Sequence, residues 1–384
     1  MHIIFITSEL LPYVEKTALA KDLVSFARSL KALGHQVSAV IPSIKDVNLS
    51  AHSLARRLSG VSVSVDEESF TAARYDGRTS DGVTTFFLDV PNLGSSKDSP
   101  TSAAAAASAA SLVASLAEAP DVCISFGVGL CGFSAAARRH PSLATTVLLA
   151  NLFDAKDDEY LSAKDADRVV VPRRGLLFED ADTALRAAVI PDAVEQAEVN
   201  DKPSRKTAFQ MKTMLKVRSD VPLVLFCDFA VDALADYLAS DVQALVFDDR
   251  ADCLLLKERY LDRLRVISKA DLSAALEASD GCVVCDEKHL VSDCLTRGTI
   301  PIVSSSLKDE VVDLESNLAS GTGIAVSSRD AAQLTLGLSR FVALFHTRQA
   351  FGDLVSRLPS YAMTWQRVAA YTLGLIEEVI TENR

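Results

Sequence analysis

Along the chain, short apolar runs alternate with longer stretches whose apolar positions recur at helical spacing. The run at residues 3–7 is followed by a helical pattern over 21–33. That pattern stops at Gly34, and residues 36–41 resume as a strand. Glycine tolerates the left-handed backbone that ends a helix, which makes Gly34 a natural stop. Strand, helix and strand in that order favour a parallel sheet covered on both faces. Further strands are expected at 61–65, 83–90, 122–126, 145–149 and 168–171. Residues 102–119 are almost entirely Ala, Ser and Leu, after a polar loop at 94–100. Alanine favours helix, and Leu112, Val113, Leu116 and Ala117 give it a face to bury. A packed helix is expected there rather than a spacer.

Near residue 190 the pattern restarts. Pro191 and the polar residues 195–205 read as an interdomain connection. A helix at 205–216 leads into a strong strand at 223–227. Strands at 244–247, 264–267, 282–285 and 301–304 follow, and an amphipathic helix at 365–378 comes last. A chain of 384 residues is too long for one ordinary core. The expectation is two doubly wound α/β domains, 1–190 and 191–384, with a crevice between them. The last helix is free to pack back on the first domain.

Composition narrows the function classes. Hydrophobic residues make up 49% and charged residues 23%, as in soluble globular proteins. No apolar run is long enough to cross a bilayer, so no membrane partner is expected. A net charge of -12 argues against a broad phosphate-backbone surface, so no nucleic acid is expected either. Residues 1–6 are apolar but short, lack a basic lead-in and run into Ser8 and Glu9. They read as a first strand rather than a signal peptide, and a cytoplasmic location is expected. The seven cysteines then read as reduced thiols. Cys282 and Cys285 have metal-ligand spacing, but a strand puts them on opposite faces, which favours core packing over zinc. The six histidines are dispersed without paired metal spacing, and no metal or cofactor is expected.

The opening residues carry a likeness to a known family. Phe5, Ile6, Thr7, Ser8, Glu9 and Pro12, followed by Lys16 and Thr17, resemble the start of bacterial glycogen synthases and plant starch synthases. Those enzymes continue Lys-Thr-Gly-Gly-Leu-Ala-Asp, and Asp22 stands at the spacing of that aspartate. The likeness continues in order through residues 33–37, 41–42, 86–91 and 120–122. It resumes at 166–169, 190–192, 297–303, 321–323 and 364–365. It implies a GT-B fold: two Rossmann-like doubly wound parallel-sheet domains facing each other across a cleft. In the family that cleft binds ADP-glucose or UDP-glucose and the end of an α-1,4-glucan. This chain is shorter than typical members, chiefly between residues 152 and 160.

The family's catalytic motifs are altered here. After Lys16 and Thr17 the family's Gly-Gly is Ala18 and Leu19, which adds side chains where the backbone approaches the donor. Lys16 either meets an anion or is a solvated lysine beside Glu15. The family's Gly-Arg-Leu, whose arginine and a following lysine grip the diphosphate, corresponds to residues 226–232. Those include Asp228 and Asp232 and no cation. Two carboxylates there repel a diphosphate unless a Mg²⁺ bridges them. The family's Glu-Pro-Cys-Gly-Leu is reduced to residues 285–290, where Glu287 is the counterpart of the glutamate. The glycine pair after the Pro-Ile-Val strand becomes Ser304, Ser305 and Ser306, either an anion site or a polar loop. The His-Ala-His-Asp-Trp-His run is apolar or glycine at 124–130, and the later catalytic-site histidine is Ala150. Asn151 is retained, as a ligand or as the end of a strand.

The resemblance therefore leaves Lys16, Thr17, Asn151 and Glu287 as candidate substrate-binding residues, and no residue with a catalytic role. The expected function is a glycogen or starch synthase-like pseudo-glycosyltransferase that binds a protein partner or a glucan. The alternative is a divergent active transferase of a hexose from a nucleotide sugar; an isomerase on the same scaffold is a third reading. Weak nucleotide-sugar binding is compatible with the first.

Overall fold

The computed structural model describes residues 1–65, 68–89, 102–155, 160–172, 176–190, 193, 201–247, 251–316 and 319–382. Residues 191–192 of the likeness, the loop at 94–100, residues 156–159 of the shortened stretch and the start of the connection at 195–205 lie outside these residues. The chain divides into two compact units. One comprises Met1–Asp192 with Trp365–Arg384, the other Ala193–Thr364.

The first unit begins β1 (His2–Ile6), α1 (Leu19–Ala32), β2 (Gln36–Ile41) and α2 (Leu49–His52). It continues through β3 (Ala55–Arg56), β4 (Val61–Val65), β5 (Glu68–Arg78), β6 (Thr84–Asp89), α3 (Ser102–Ala114) and β7 (Val122–Phe126). Then follow α4 (Phe133–Ala137), β8 (Val147–Asn151), β9 (Tyr160–Leu161), β10 (Arg168–Val171), β11 (Leu177–Phe178), α5 (Ala181–Leu185) and β12 (Ala187–Val189). The main sheet runs β12-β10-β8-β7-β1-β2-β6-β5-β3, with β4 on β5. From β12 to β6 every pairing is parallel, whereas β5 pairs antiparallel with β6, β4 and β3.

Burial explains the legible strands. Residues 3–6 of β1 and all of β7 are buried, because parallel strands covered by helices on both faces must be apolar throughout. Helix α1 buries Leu19, Leu23, Phe26, Ala27 and Leu30, one face at helical spacing. Its Phe26 ring stacks 5.3 Å from Phe5. Helix α3 ends at Ala114 rather than reaching 119. The Ser115 amide and hydroxyl both donate to the Leu112 carbonyl, at 3.0 and 2.7 Å, a tightened last turn that closes the helix. Strand β5 was not expected, because its sequence mixes charges with small residues and contains Gly77.

The second unit contains α6 (Lys202–Lys212), β13 (Leu223–Phe226), α7 (Val231–Leu238), β14 (Gln243–Val246), α8 (Ala251–Arg259) and β15 (Leu264–Val266). It continues with α9 (Leu272–Ala278), β16 (Gly281–Val284), α10 (Lys288–Thr296), β17 (Ile300–Val303), β18 (Ile324–Ala325), α11 (Ala331–His346) and α12 (Arg348–Arg357). The sheet order is β15-β14-β13-β16-β17-β18, parallel throughout. Alternate residues of β16 feed different cores. Val283 and Cys285 join Phe226 and Phe341 on one face, while Cys282 and Val284 join Leu225 and Cys294 on the other.

At the edge where these strands begin, Lys206 Nζ lies 2.6 Å from Asp280 Oδ2, and that oxygen also accepts the Leu223 amide at 2.8 Å. Lys202 is buried beside this pair and donates to Thr299 Oγ1 at 2.8 Å and to the Arg297 carbonyl at 3.1 Å. Burial lowers its pKa to about 8.

The chain then returns to the first unit as α13 (Trp365–Glu382), which packs on α1. Trp365 lies 5.9 Å from Phe26, and Arg168 reaches Glu382 at 2.6 Å. Among the described residues no helix is long and apolar enough to cross a membrane.

Candidate functional site

In an open parallel sheet, ligands gather at the C-terminal edge, where successive connections leave in opposite directions. Each unit has one such switch point. In the first it lies between β1 and β7, with the chain passing from β1 to β2 on one side and β8 lying beyond β7 on the other. In the second it lies between β13 and β16.

At the first switch point the loop after β1 wraps around Glu9, which is only 3% exposed. Its Oε2 accepts the amides of Lys16 and Thr17, each at 2.7 Å, and its Oε1 accepts the Thr17 hydroxyl at 2.6 Å. Thr17 Oγ1 in turn accepts the Leu19 amide at 3.2 Å, joining the loop to the start of α1. Leu19 is the first residue of that helix and is buried, so the glycine pair of the family has become a helix start with an apolar anchor. The Lys16 ammonium is ion-paired with Asp46, both side chains about half exposed. Lys16 is therefore neither a lone solvated cation nor a partner of Glu15, whose carboxylate pairs with Lys21 at 3.0 Å.

Across the switch point, Gly127 follows β7 with φ +91°, a conformation that favours glycine. Its amide donates to the carbonyl of Asn151, the last residue of β8, at 2.8 Å. The Val128 amide donates to Asp154 Oδ1 at 2.7 Å. Thus Lys16, Thr17 and Asn151 stand on loops and strand ends of one edge, and Glu9 and Asp154 take amides of both loops.

The second switch point is built differently. After β13 come Cys227, Asp228, Phe229 and Ala230, and then α7. Phe229 is buried, with its ring 5.2 Å from Phe226. After β16 come Cys285, Asp286 and Glu287. Asp286 pairs with Arg329 at 2.7 Å. Glu287 precedes α10, is more than half exposed, and lies 3.5 Å from His289. Burial, reinforced by the negative charges of Asp228 and Asp286, pushes the Cys285 thiol up to about 12. Ser304 and Ser306 both donate to the Cys285 carbonyl, at 2.8 and 2.5 Å, so these hydroxyls close the end of β16. No group of His, Cys, Asp and Glu among the described residues has the geometry to hold a metal.

Reading the sequence passed over Glu9, Asp46 and Asp154 as ligand-site residues. The signal for Glu9 was present: a carboxylate three residues after a strand buried from residue 3 to 6 needs donors nearby, and the next loop supplies them. Asp46 and Asp154 pair across 30 and 26 residues respectively, which no local pattern reveals. A cavity of about 360 Å³ also lies in the first unit, lined by Arg138, Asp167, Arg168, Arg186 and Glu382. It lies where β10 begins, away from the switch point, and its guanidiniums are paired with carboxylates.

A family model, the starch synthase catalytic domain, matches residues 2–124. The glycogen synthase of Koribacter versatilis is 34% identical over 91 residues, covering 24% of this chain and 18% of that protein. The catalytic domain of starch synthase IV from Arabidopsis thaliana, solved with ADP and acarbose, superposes with a TM-score of 0.69 at 15% identity over 99% of each chain. The chain has a GT-B fold and is related to the starch and glycogen synthases. The same fold is shared by a glycosyltransferase from Rickettsia africae, with a TM-score of 0.61, 13% identity and coverage of 99% of this chain and 98% of that one. The sequence likeness of this GT-B protein thus spans less than a fifth of the glycogen synthase it matches. The family match includes Glu9, Lys16 and Thr17 and ends before Gly127, Asn151 and Glu287.

Proposed function

We propose that this GT-B protein does not transfer glucose and acts by binding a protein partner or a glucan. The observation that carries this reading is the loop after β13. A departing diphosphate has to be neutralised by cations or backbone donors. Here the loop offers Asp228 and a buried ring, and the nearby Arg329 is engaged by Asp286. The first unit agrees, since Asp46 takes the Lys16 ammonium. The residual polar groups, Lys16, Thr17 and Asn151 at the edge of the first unit and Glu287 at the edge of the second, are then weak nucleotide-sugar or glucan contacts, each on its own unit.

Incubation with labelled ADP-glucose or UDP-glucose and a glycogen primer tests the reading. It predicts no incorporation above a heat-killed control, and retention of the protein on a glycogen affinity gel or co-purification of a protein from the native cell. Clear incorporation supports a second reading, a divergent hexosyltransferase. The kinship to synthases by itself favours that second reading; the first rests on the residues of the two edges.

A further inference from the structure

The floor of the second switch point is lined with thiols. Cys227 ends the β13 run and is partly exposed, whereas Cys282 on the neighbouring β16 and Cys294 on α10 are fully buried. Cys227 Sγ lies 3.8 Å from Cys282 Sγ. The two residues share a face, because Leu225 pairs with Cys282 and Cys227 lies two positions further along the same strand. A disulfide requires a sulfur separation of about 2.05 Å and Cα atoms within about 7 Å, so closure from this diagonal register draws the end of β13 towards β16 as well as turning the two side chains.

We infer that Cys227 and Cys282 form an oxidisable dithiol, with Cys227 as the peroxide-reactive thiol and Cys282 as its resolving partner. Access assigns the roles, since an oxidant in solution meets Cys227 first. The Cys227 sulfur attacks one oxygen of hydrogen peroxide and the O–O bond breaks. Cys227–SOH forms, and the departing oxygen leaves as water with the thiol proton. The Cys282 sulfur then attacks the Cys227 sulfur, the S–O bond breaks, and the leaving hydroxide carries off the Cys282 proton as a second water. Two thiols supply the two electrons that reduce one peroxide. Burial, then contact with Cys227 and Cys294, raises the Cys282 pKa well above its usual value, which disfavours direct attack of this thiol on peroxide and makes its attack on Cys227 the slow step. The resulting bond ties together the two strands that flank the switch point.

The test is titration of the intact chain with hydrogen peroxide, followed by thiol counting in denaturant and peptide mapping. The expected result is loss of two of the seven thiols, a linked pair of peptides carrying Cys227 and Cys282, and full recovery with dithiothreitol. Cys227→Ser loses no thiols under the same treatment. Cys282→Ala stops at a sulfenic acid on Cys227 that dimedone labels, and Cys294→Ser still forms the link. The inference is overturned if Cys227 passes to sulfinic acid with Cys282 untouched. Equally, it falls if Cys282 links to Cys294, if Cys227→Ser still loses two thiols, or if wild type loses none.

Discussion

At the edge of the first unit, a buried carboxylate gathers two amides and a hydroxyl from the loop after β1, and a second carboxylate takes the amide after β7. At the same topological position in the second unit, the loop after β13 sends a phenyl ring into the core, and the floor is thiols. Both sheets are doubly wound and both edges are open at a switch point, so topology does not account for the difference. The first edge turns its loop amides and the Lys16 ammonium onto the protein's own carboxylates. The second sets a carboxylate, Asp228, beside a buried ring, and pairs Asp286 with Arg329. The cations that the second unit buries, Lys202 and Lys206, lie at the opposite edge of its sheet.

The largest effect is expected from Glu9→Ala. It leaves two amides and a hydroxyl without their acceptor in a buried place, at a cost of about 4 kcal/mol. Trp365, the only tryptophan, packs in the same unit, so its fluorescence follows the loss during urea unfolding. Glu287→Ala, at an exposed position of the other edge, is expected to change stability by under about 0.5 kcal/mol. Equal effects would remove the contrast between the edges. Phe229→Ala is expected to cost about 3 kcal/mol, as for other buried aromatic truncations. A cost below about 1 kcal/mol in urea unfolding followed by circular dichroism would mean the ring is not part of the core.

The buried lysine at the opposite edge gives a pH signature. Lys202 has a folded pKa of about 8, below the roughly 10.4 of an unfolded lysine. Between those values the unfolded chain holds more protons, so stability rises as the pH goes from about 8 to about 10. The rise is about 2 kcal/mol for wild type and is absent from Lys202→Met, as read from denaturation at several pH values. A small effect is also expected from Lys16→Ala, whose half-exposed pair with Asp46 is worth under about 1 kcal/mol in urea unfolding.

The parallel core was readable because its strands are buried on both faces and its helices carry one apolar stripe. Residues 36–41, 122–126 and 168–171 form strands where the pattern places them. Strand β5 escaped because antiparallel pairing on one edge lets it carry Glu68, Arg74 and Asp76 among small residues. The altered loops were visible as substitutions in a family motif, but their new partners were not. Nothing local to Lys16 announces Asp46, and the serines at 304 and 306 find their acceptor about twenty residues away, at Cys285. The Cys282 and Cys285 spacing drew attention to the wrong pair, because the close thiols belong to neighbouring strands and lie 55 residues apart.

The most direct test of the central claim is the melting temperature of the wild-type chain with saturating ADP, UDP, ADP-glucose and UDP-glucose. Ligands that bind only the folded state raise it by several degrees. Edges where Asp46 takes the Lys16 ammonium and the loop after β13 holds Asp228 and Phe229 predict a shift of less than about one degree with each nucleotide. A rise of several degrees with any of them would contradict that account and return the protein to the active transferases.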